Sequence, residues 1–325
     1  MSEIQPHLAP THAERPHDRF DELVARAQRQ PPVLTAVVHP CDQVSLESAL
    51  EAARLKLIKP ILVGPAFKIQ QTAARYGLDI AGLEIVDAAH SHDAARKAVE
   101  RVKAGGAEAL MKGSLHTDEL MAAVVARETG LRTERRISHC FIMDVPGHPE
   151  PLVITDAAVN ITPGLKDKVD IVQNAIDMVH ALSSAEIRVA ILSAMETVNP
   201  DVPSTVEAAA LCKMADRGQI TGAVLDGPLA LDNAISPEAA AIKKISSSVA
   251  GRANVLVVPD LESGNMLAKS LSFLAGADAA GMVLGARVPI ILTSRADAEI
   301  TRLASCAVAS LLAAARRTTP SAAIH

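Results

Sequence analysis

Apolar and polar positions alternate with two different periods along the chain. Short apolar, β-branched runs at 33–38, 61–63, 83–86 and 108–111 have the length of strands. Between them, 44–57, 66–76 and 92–104 repeat apolar residues at helical spacing, most clearly Val44, Leu46, Ala49, Leu50 and Ala53. Further helices are predicted at 20–29 and from Thr117 onward. Residues 138–145 and 152–155 read as two strands with no helix between them, on either side of the turn Pro146-Gly147-His148-Pro149. The alternation then resumes with helix 166–182, strand 188–193, helix 204–216, strand 221–225, helix 237–247, strand 254–258 and helix 264–275. Strands 282–284 and 288–292 and helix 297–316 complete it.

This order predicts an α/β fold with mainly parallel sheets. About ten strands is many for one sheet, so two three-layer αβα domains with a cleft between them are expected. Domain I takes 17–145 plus 285–325, domain II takes 146–284, and 1–16 is a loose leading segment.

Composition narrows the picture. With no Trp, one Tyr and four Phe, the core must be aliphatic, as suits strands covered by helices on both faces. A net charge of −5 and scarce aromatics argue against a nucleic-acid binder. Cys41, Cys140, Cys212 and Cys306 form no C-x-x-C pair and read as small buried apolar groups, which fits a reducing cytoplasm. The first residues carry Glu3, Glu14 and Asp18 without an apolar h-region, unlike a signal peptide, and no apolar run is long enough to predict a membrane span.

Ligands of parallel sheets sit beyond the carboxyl ends of strands. That rule selects 39–42, 112–117, 156–160, 193–197, 226–228, 259–265 and 293–297. In the last of these, a strand feeds Ser294 and Arg295 at the start of a long helix, with Asp297 and Glu299 following. Free N–H groups and a guanidinium there make an anion site, although Ser-x-x-Asp is equally a capping box. Lys112-Gly113-Ser114, with His116 and Thr117, joins a charge to a glycine that lets backbone N–H groups approach a ligand; a plain turn with a Thr cap reads the same way. Neither a Walker A loop nor a G-x-G-x-x-G fingerprint is present. Arg127, Arg132, Arg135 and Arg136 crowd the approach to Ser138 and His139, either as forks for a phosphate-rich ligand or as a solvated face. His116 and His139 are candidate acid–base groups. Asp226, Asp232, Asp260 and Glu262 are candidates for holding Mg²⁺ or for capping helices.

Taken in order, these segments resemble the phosphate acetyl/butyryltransferase family from about 33 to 315. The likeness rests on Val38-His39-Pro40-Cys41-Asp42, Met111 through Thr117, Ile154 through Asn160, Asp226-Gly227-Pro228-Leu229, Ala253 through Asp260 with Gly264-Asn265, and Leu292-Thr293-Ser294-Arg295. It implies an isocitrate/isopropylmalate-dehydrogenase-like fold and a homodimer. It also implies direct transfer of an acyl group between coenzyme A and inorganic phosphate through an acyl phosphate, with neither redox cofactor nor metal. Ser294 and Arg295 would form the reacting centre. Lys112, Gly113, Ser114, His116, Thr117, Arg132, Arg135, Ser138, Gly264 and Asn265 would bind coenzyme A and phosphate. Two positions depart from the acetyltransferase pattern: Thr301 replaces an Asp, and Met121 replaces an Arg. Asp297, and after it Glu299, become the candidate bases, and the Thr-Ser-Arg-Ala-Asp form looks more like the butyryl branch. Two alternatives stay open, a metal- and NAD-dependent hydroxyacid dehydrogenase of similar fold and a non-catalytic coenzyme A or acyl-phosphate binder.

Overall fold

The computed structural model describes residues 17–293 and 297–318. Among them eleven strands alternate with eleven helices. The strands are β1 (Val33–Val38), β2 (Ile58–Gly64), β3 (Glu84–Asp87), β4 (Ala109–Lys112), β5 (Ser138–Asp144), β6 (Leu152–Thr155), β7 (Arg188–Leu192), β8 (Val224–Leu229), β9 (Val255–Val257), β10 (Asp278–Leu284) and β11 (Ile290–Ile291). The helices are α1 (Asp18–Ala27), α2 (Gln43–Arg54), α3 (Ala66–Tyr76), α4 (Ser91–Lys103), α5 (Thr117–Val125), α6 (Leu165–Leu182), α7 (Pro203–Asp216), α8 (Leu231–Ile235), α9 (Pro237–Ile242), α10 (Leu261–Ala275) and α11 (Glu299–Thr318).

Local chemistry sets many of their ends. Asp42 caps α2 by accepting from the Ser45 N–H at 2.9 Å. Asp260 and Ser263 form a capping box at the start of α10. Gly77 and Gly276 end α3 and α10 in the left-handed conformation that a Cβ disfavours.

The expectation of two sheets is corrected: the described strands join into one, in the order β3-β2-β1-β4-β11-β10-β5-β6-β9-β7-β8. From β3 to β11 all neighbours are parallel. The β11–β10, β10–β5 and β5–β6 contacts are antiparallel, and β6, β9, β7 and β8 are again parallel. Strands from 17–145 and 285–325 therefore run one way and those from 146–284 the other. β10 and β5 are exchanged across the middle, which welds the two sets into a single sheet.

Successive residues of β1 serve opposite faces, as the strand period requires. Val33 and Val37 enter a core beneath α1, α2, α6, α7 and α11, whereas Ala36 and Val38 enter one beneath α4 and α5. A third core lies under α8, α9 and α10. In α11, Ala304, Ala307, Ala309 and Ala313 are small enough for the helix to press on β10, where the Gly281 N–H donates to Ser305 Oγ at 3.0 Å.

Three elements differ from expectation. Helix 237–247 is shortened to α9, and the short α8 precedes it. α10 begins at Leu261, so Gly264 and Asn265 lie inside it. β8 begins later than predicted and contains Asp226-Gly227-Pro228, which were expected to form a loop. It is an edge strand, where a proline without an N–H breaks no inner ladder.

Candidate functional site

At the carboxyl end of β1 the chain turns at His39, with φ of 57°. The adjoining end of β4 supports this turn. Gly113 and Ser114 N–H donate to the Val38 and His39 carbonyls, each at 2.9 Å. The Ser114 hydroxyl donates to the His39 carbonyl at 2.7 Å and accepts from the Cys41 N–H at 3.2 Å. His39 Nδ1 lies 3.0 Å from the same hydroxyl. Burial, then the nearby Lys68 charge, lower the imidazole's pKa, so His39 is neutral at neutral pH. Gly113 and Ser114 thus tie two strand ends together; Lys112 beside them is half-buried, and His116 is exposed at the N-cap of α5.

Behind this turn is a small pocket. Its walls are Val44, Ser45 and Ser48 of α2, Met111, Lys112 and Gly113 of β4 and its loop, Thr293 after β11, and Arg302 of α11. The lining contains two cations, three hydroxyls and no carboxylate. The first turns of α2 and α11 converge on it, and both present the positive ends of helices. Thr293 leads directly to Ser294 and Arg295, which lie outside the described residues. Asp297 is half-buried and its backbone carbonyl accepts from Arg302 Nη1, while Glu299 opens α11 in an exposed position. Thr301 is buried, and its carbonyl accepts from Ser305 Oγ at 2.7 Å.

The remaining predicted residues lie around the start of β5 and in α10, which follows β9. Arg132 is exposed and its backbone bridges Ala286; Arg135 pairs with Asp177 of α6. Arg136 donates to Asn160 Oδ1 at 2.7 Å, and buried Ser138 accepts from Asn174 Nδ2 at 2.9 Å. Gly264 packs against the loop after β6: an added Cβ would lie 2.9 Å from the Asp156 carbonyl oxygen. Asn265 Nδ2 donates to the Ala157 carbonyl at 3.2 Å. The Asp156 carboxylate accepts from the N–H groups of Ala158 and Val159, each at 2.9 Å, and shapes that loop. His139 is buried edge-on against Phe141, and burial pushes its pKa down to about 4, so it is a neutral group at neutral pH. Lys112, Gly113, Ser114, His116 and Thr117 end β4 and open α5, Asp297 and Glu299 flank the start of α11, Arg132, Arg135 and Ser138 lead into β5, and Gly264 and Asn265 lie in α10; Val159, of the loop that Gly264 and Asn265 touch, packs on the same core as Leu115 and Met121.

The family profile described as phosphate acetyl/butaryl transferase matches residues 88–310. The chain belongs to that family. It is a phosphate acyltransferase, which displaces the dehydrogenase alternative. A phosphate acetyltransferase of Rhizobium meliloti is 64% identical over 306 residues, covering 94% of this chain and 97% of its own. A phosphate butyryltransferase of Clostridium beijerinckii is 42% identical over 295 residues, covering 91% and 98%. Among solved structures, a branched-chain phosphotransacylase from Enterococcus faecalis V583 superposes with a TM-score of 0.75 at 29% identity, covering 86% of this chain and 99% of the other.

Within this phosphate acyltransferase, sequence reasoning selected 39–42 without singling out His39, and did not select Arg302. His39 stood inside a quoted motif, but nothing in its spacing disclosed a left-handed turn bonded to Ser114. Arg302 reads as one more polar position of an amphipathic helix. Its only signal was its place beside Thr301, where the family pattern is broken. The acidic candidates have local work: Asp260 caps α10, and Asp226 Oδ1 accepts from the Gly227 N–H at 2.8 Å.

Proposed function

We propose that the chain transfers an acetyl group between coenzyme A and inorganic phosphate at the β4–β11 end of the sheet, working as a cytoplasmic homodimer. The observation that carries this reading is the carboxylate-free pocket holding Lys112 and Arg302, one residue before Ser294 and Arg295. The preference for acetyl is supported by the acetyltransferase name of the 64% identical relative. Four unpaired cysteines fit a reducing compartment, and no described helix is long and apolar enough to cross a membrane.

Chemically, the thiol of coenzyme A loses its proton and the thiolate attacks the carbonyl carbon of acetyl phosphate. The C–S bond forms, the C–O bond to phosphorus breaks, and phosphate leaves; the reverse reaction uses phosphate as nucleophile. A free thiol has a pKa of about 8.5, so the thiolate needs a positive field or a base. Arg295 and the start of α11 supply the field. Asp297 is the proposed base, ahead of Glu299. Ser294 donates to the oxyanion, a contact whose loss typically costs about 10²–10³ in rate. Lys112, Gly113, His116 and Thr117 hold the phosphate-bearing parts of the substrates, while Ser114 keeps their loop in place.

Thiol release from acetyl-, propionyl- and butyryl-CoA in the presence of phosphate tests this. Turnover should be greatest with acetyl-CoA. Arg295→Ala should lower it by orders of magnitude with the fold intact, and Asp297→Asn should impair it more than Glu299→Gln. Near-native turnover by Arg295→Ala would remove the proposed centre.

A further inference from the structure

We infer that Arg302 is a phosphate-binding residue of this reaction, working with Lys112 from the opposite wall of the pocket. The inference rests on the reading of the β4–β11 end as the reacting site and adds a residue to it. Arg302 lies in the first turn of α11 and lines the same pocket as Lys112, Gly113 and Thr293. Its Nη1 donates to the Asp297 carbonyl, which fixes the guanidinium at the helix start. Its Nε is buried with no hydrogen-bond partner among the described residues. A buried charged donor without a partner is costly, and a guanidinium places its donors in a planar fork that suits a phosphate. No carboxylate is among the residues that line the pocket. The hydroxyls there are partly committed: Ser45 Oγ donates to Asp42 Oδ1 at 2.6 Å, and Ser48 Oγ to the Val44 carbonyl at 2.5 Å. The carboxyl group nearest these hydroxyls, Asp42, caps α2.

A dianion with several acceptor oxygens meets these demands together. It supplies an acceptor for Nε, brings negative charge to the Arg302 guanidinium, and sits where two helix starts converge. Thr301 occupies the position of the family's acidic residue and is turned into the core, so the guanidinium next to it is the charged group that α11 offers the pocket. This arrangement places a cation close to where that residue would put an anion.

The test combines kinetics with a binding readout that needs no turnover. Arg302→Gln should raise the KM for inorganic phosphate by about 10- to 100-fold, the range expected for one charged hydrogen bond, and change the KM for acetyl-CoA little. Arg302→Lys should recover part of the loss. Inorganic phosphate alone should raise the Tm of the native chain, and Arg302→Gln should lose most of that rise while its own Tm without phosphate stays near native. A lower Tm with an unchanged KM for phosphate would mean that Arg302 only holds Asp297, and the inference would be wrong. If Lys112→Ala raises that KM and Arg302→Gln does not, the pocket binds phosphate without Arg302, and the inference again fails. A chain that turns over no acyl-CoA but still shows the Arg302-dependent Tm rise keeps the phosphate site and overturns the reaction assigned to it.

Discussion

At Gly113 a single added carbon would meet the Val38 carbonyl oxygen at 2.4 Å and the His39 carbonyl oxygen at 2.7 Å. Both are backbone atoms of the β1 end, so neither can swing aside as a side chain would. Gly113→Ala should therefore cost about 1–3 kcal/mol of stability, the usual scale for overpacking. It should also push Lys112 and the loop after it off the pocket, so that Tm and turnover fall together; an unchanged Tm would show that the two strand ends are not held as tightly as this contact implies. His139 makes a different kind of prediction. Its pKa falls from 6.5 to about 4 because burial disfavours the imidazolium, a shift that Asp156 only partly opposes. Below pH 6.5 the unfolded chain takes up a proton that the native chain refuses, so stability drops as pH falls toward 4. The loss is on the order of 3 kcal/mol across that window. His139→Gln should flatten the dependence of Tm on pH between 6.5 and 4, and an equally steep slope in that variant would assign it to other groups.

Among the elements, those with a strong local pattern were legible in the sequence. The helix spacing of Val44, Leu46, Ala49 and Leu50 matches α2, and the β-branched run at 33–38 is β1 without a shift. Periodicity cannot report which strands lie side by side or which way they run. Nothing in 138–145 or 282–284 discloses that β5 and β10 change places in the middle of one sheet. That exchange reverses the direction of β6, β9, β7 and β8, and with it the end of the sheet at which their loops emerge. Carboxyl ends of strands can be chosen by rule, but only a known topology could tell that β4 and β9, which feed 112–117 and 259–265, run in opposite directions. The same limit explains the roles of Gly264 and Asn265. As letters they resemble a ligand loop. In the fold, Gly264 allows α10 to approach Asp156 and Ala157, and Asn265 holds the Ala157 carbonyl. β8 was displaced for another reason: Asp, Gly and Pro are turn formers in isolation, and only the edge position makes them acceptable in a strand.

For the molecule as a whole, the proposed homodimer needs a surface, and α10 carries three exposed large apolar side chains. Phe273 is 80% exposed, Leu274 78% and Met266 62%. Met266 and Phe273 are seven residues apart and share a helix face, while half-buried Leu267 and Leu271 turn inward to the core under α10. A cluster of this kind is typical of the buried centre of an interface, with aromatic and Met side chains surrounded by a polar rim. Stable interfaces bury about 800 Å² per partner, more than three side chains supply, so they would anchor a larger contact around α10. The native chain should sediment as a dimer at micromolar concentration. Phe273→Asp combined with Leu274→Lys should yield a monomer whose far-ultraviolet spectrum is native, because neither side chain contributes to the core. A double variant that remains dimeric would move the interface off α10, and a native chain that is already monomeric would remove the dimer. Turnover of the monomeric variant carries the argument one step further. The described lining of the pocket around Lys112 and Arg302 comes from one chain, so phosphate should still protect the monomer against unfolding even where acyl transfer is weakened.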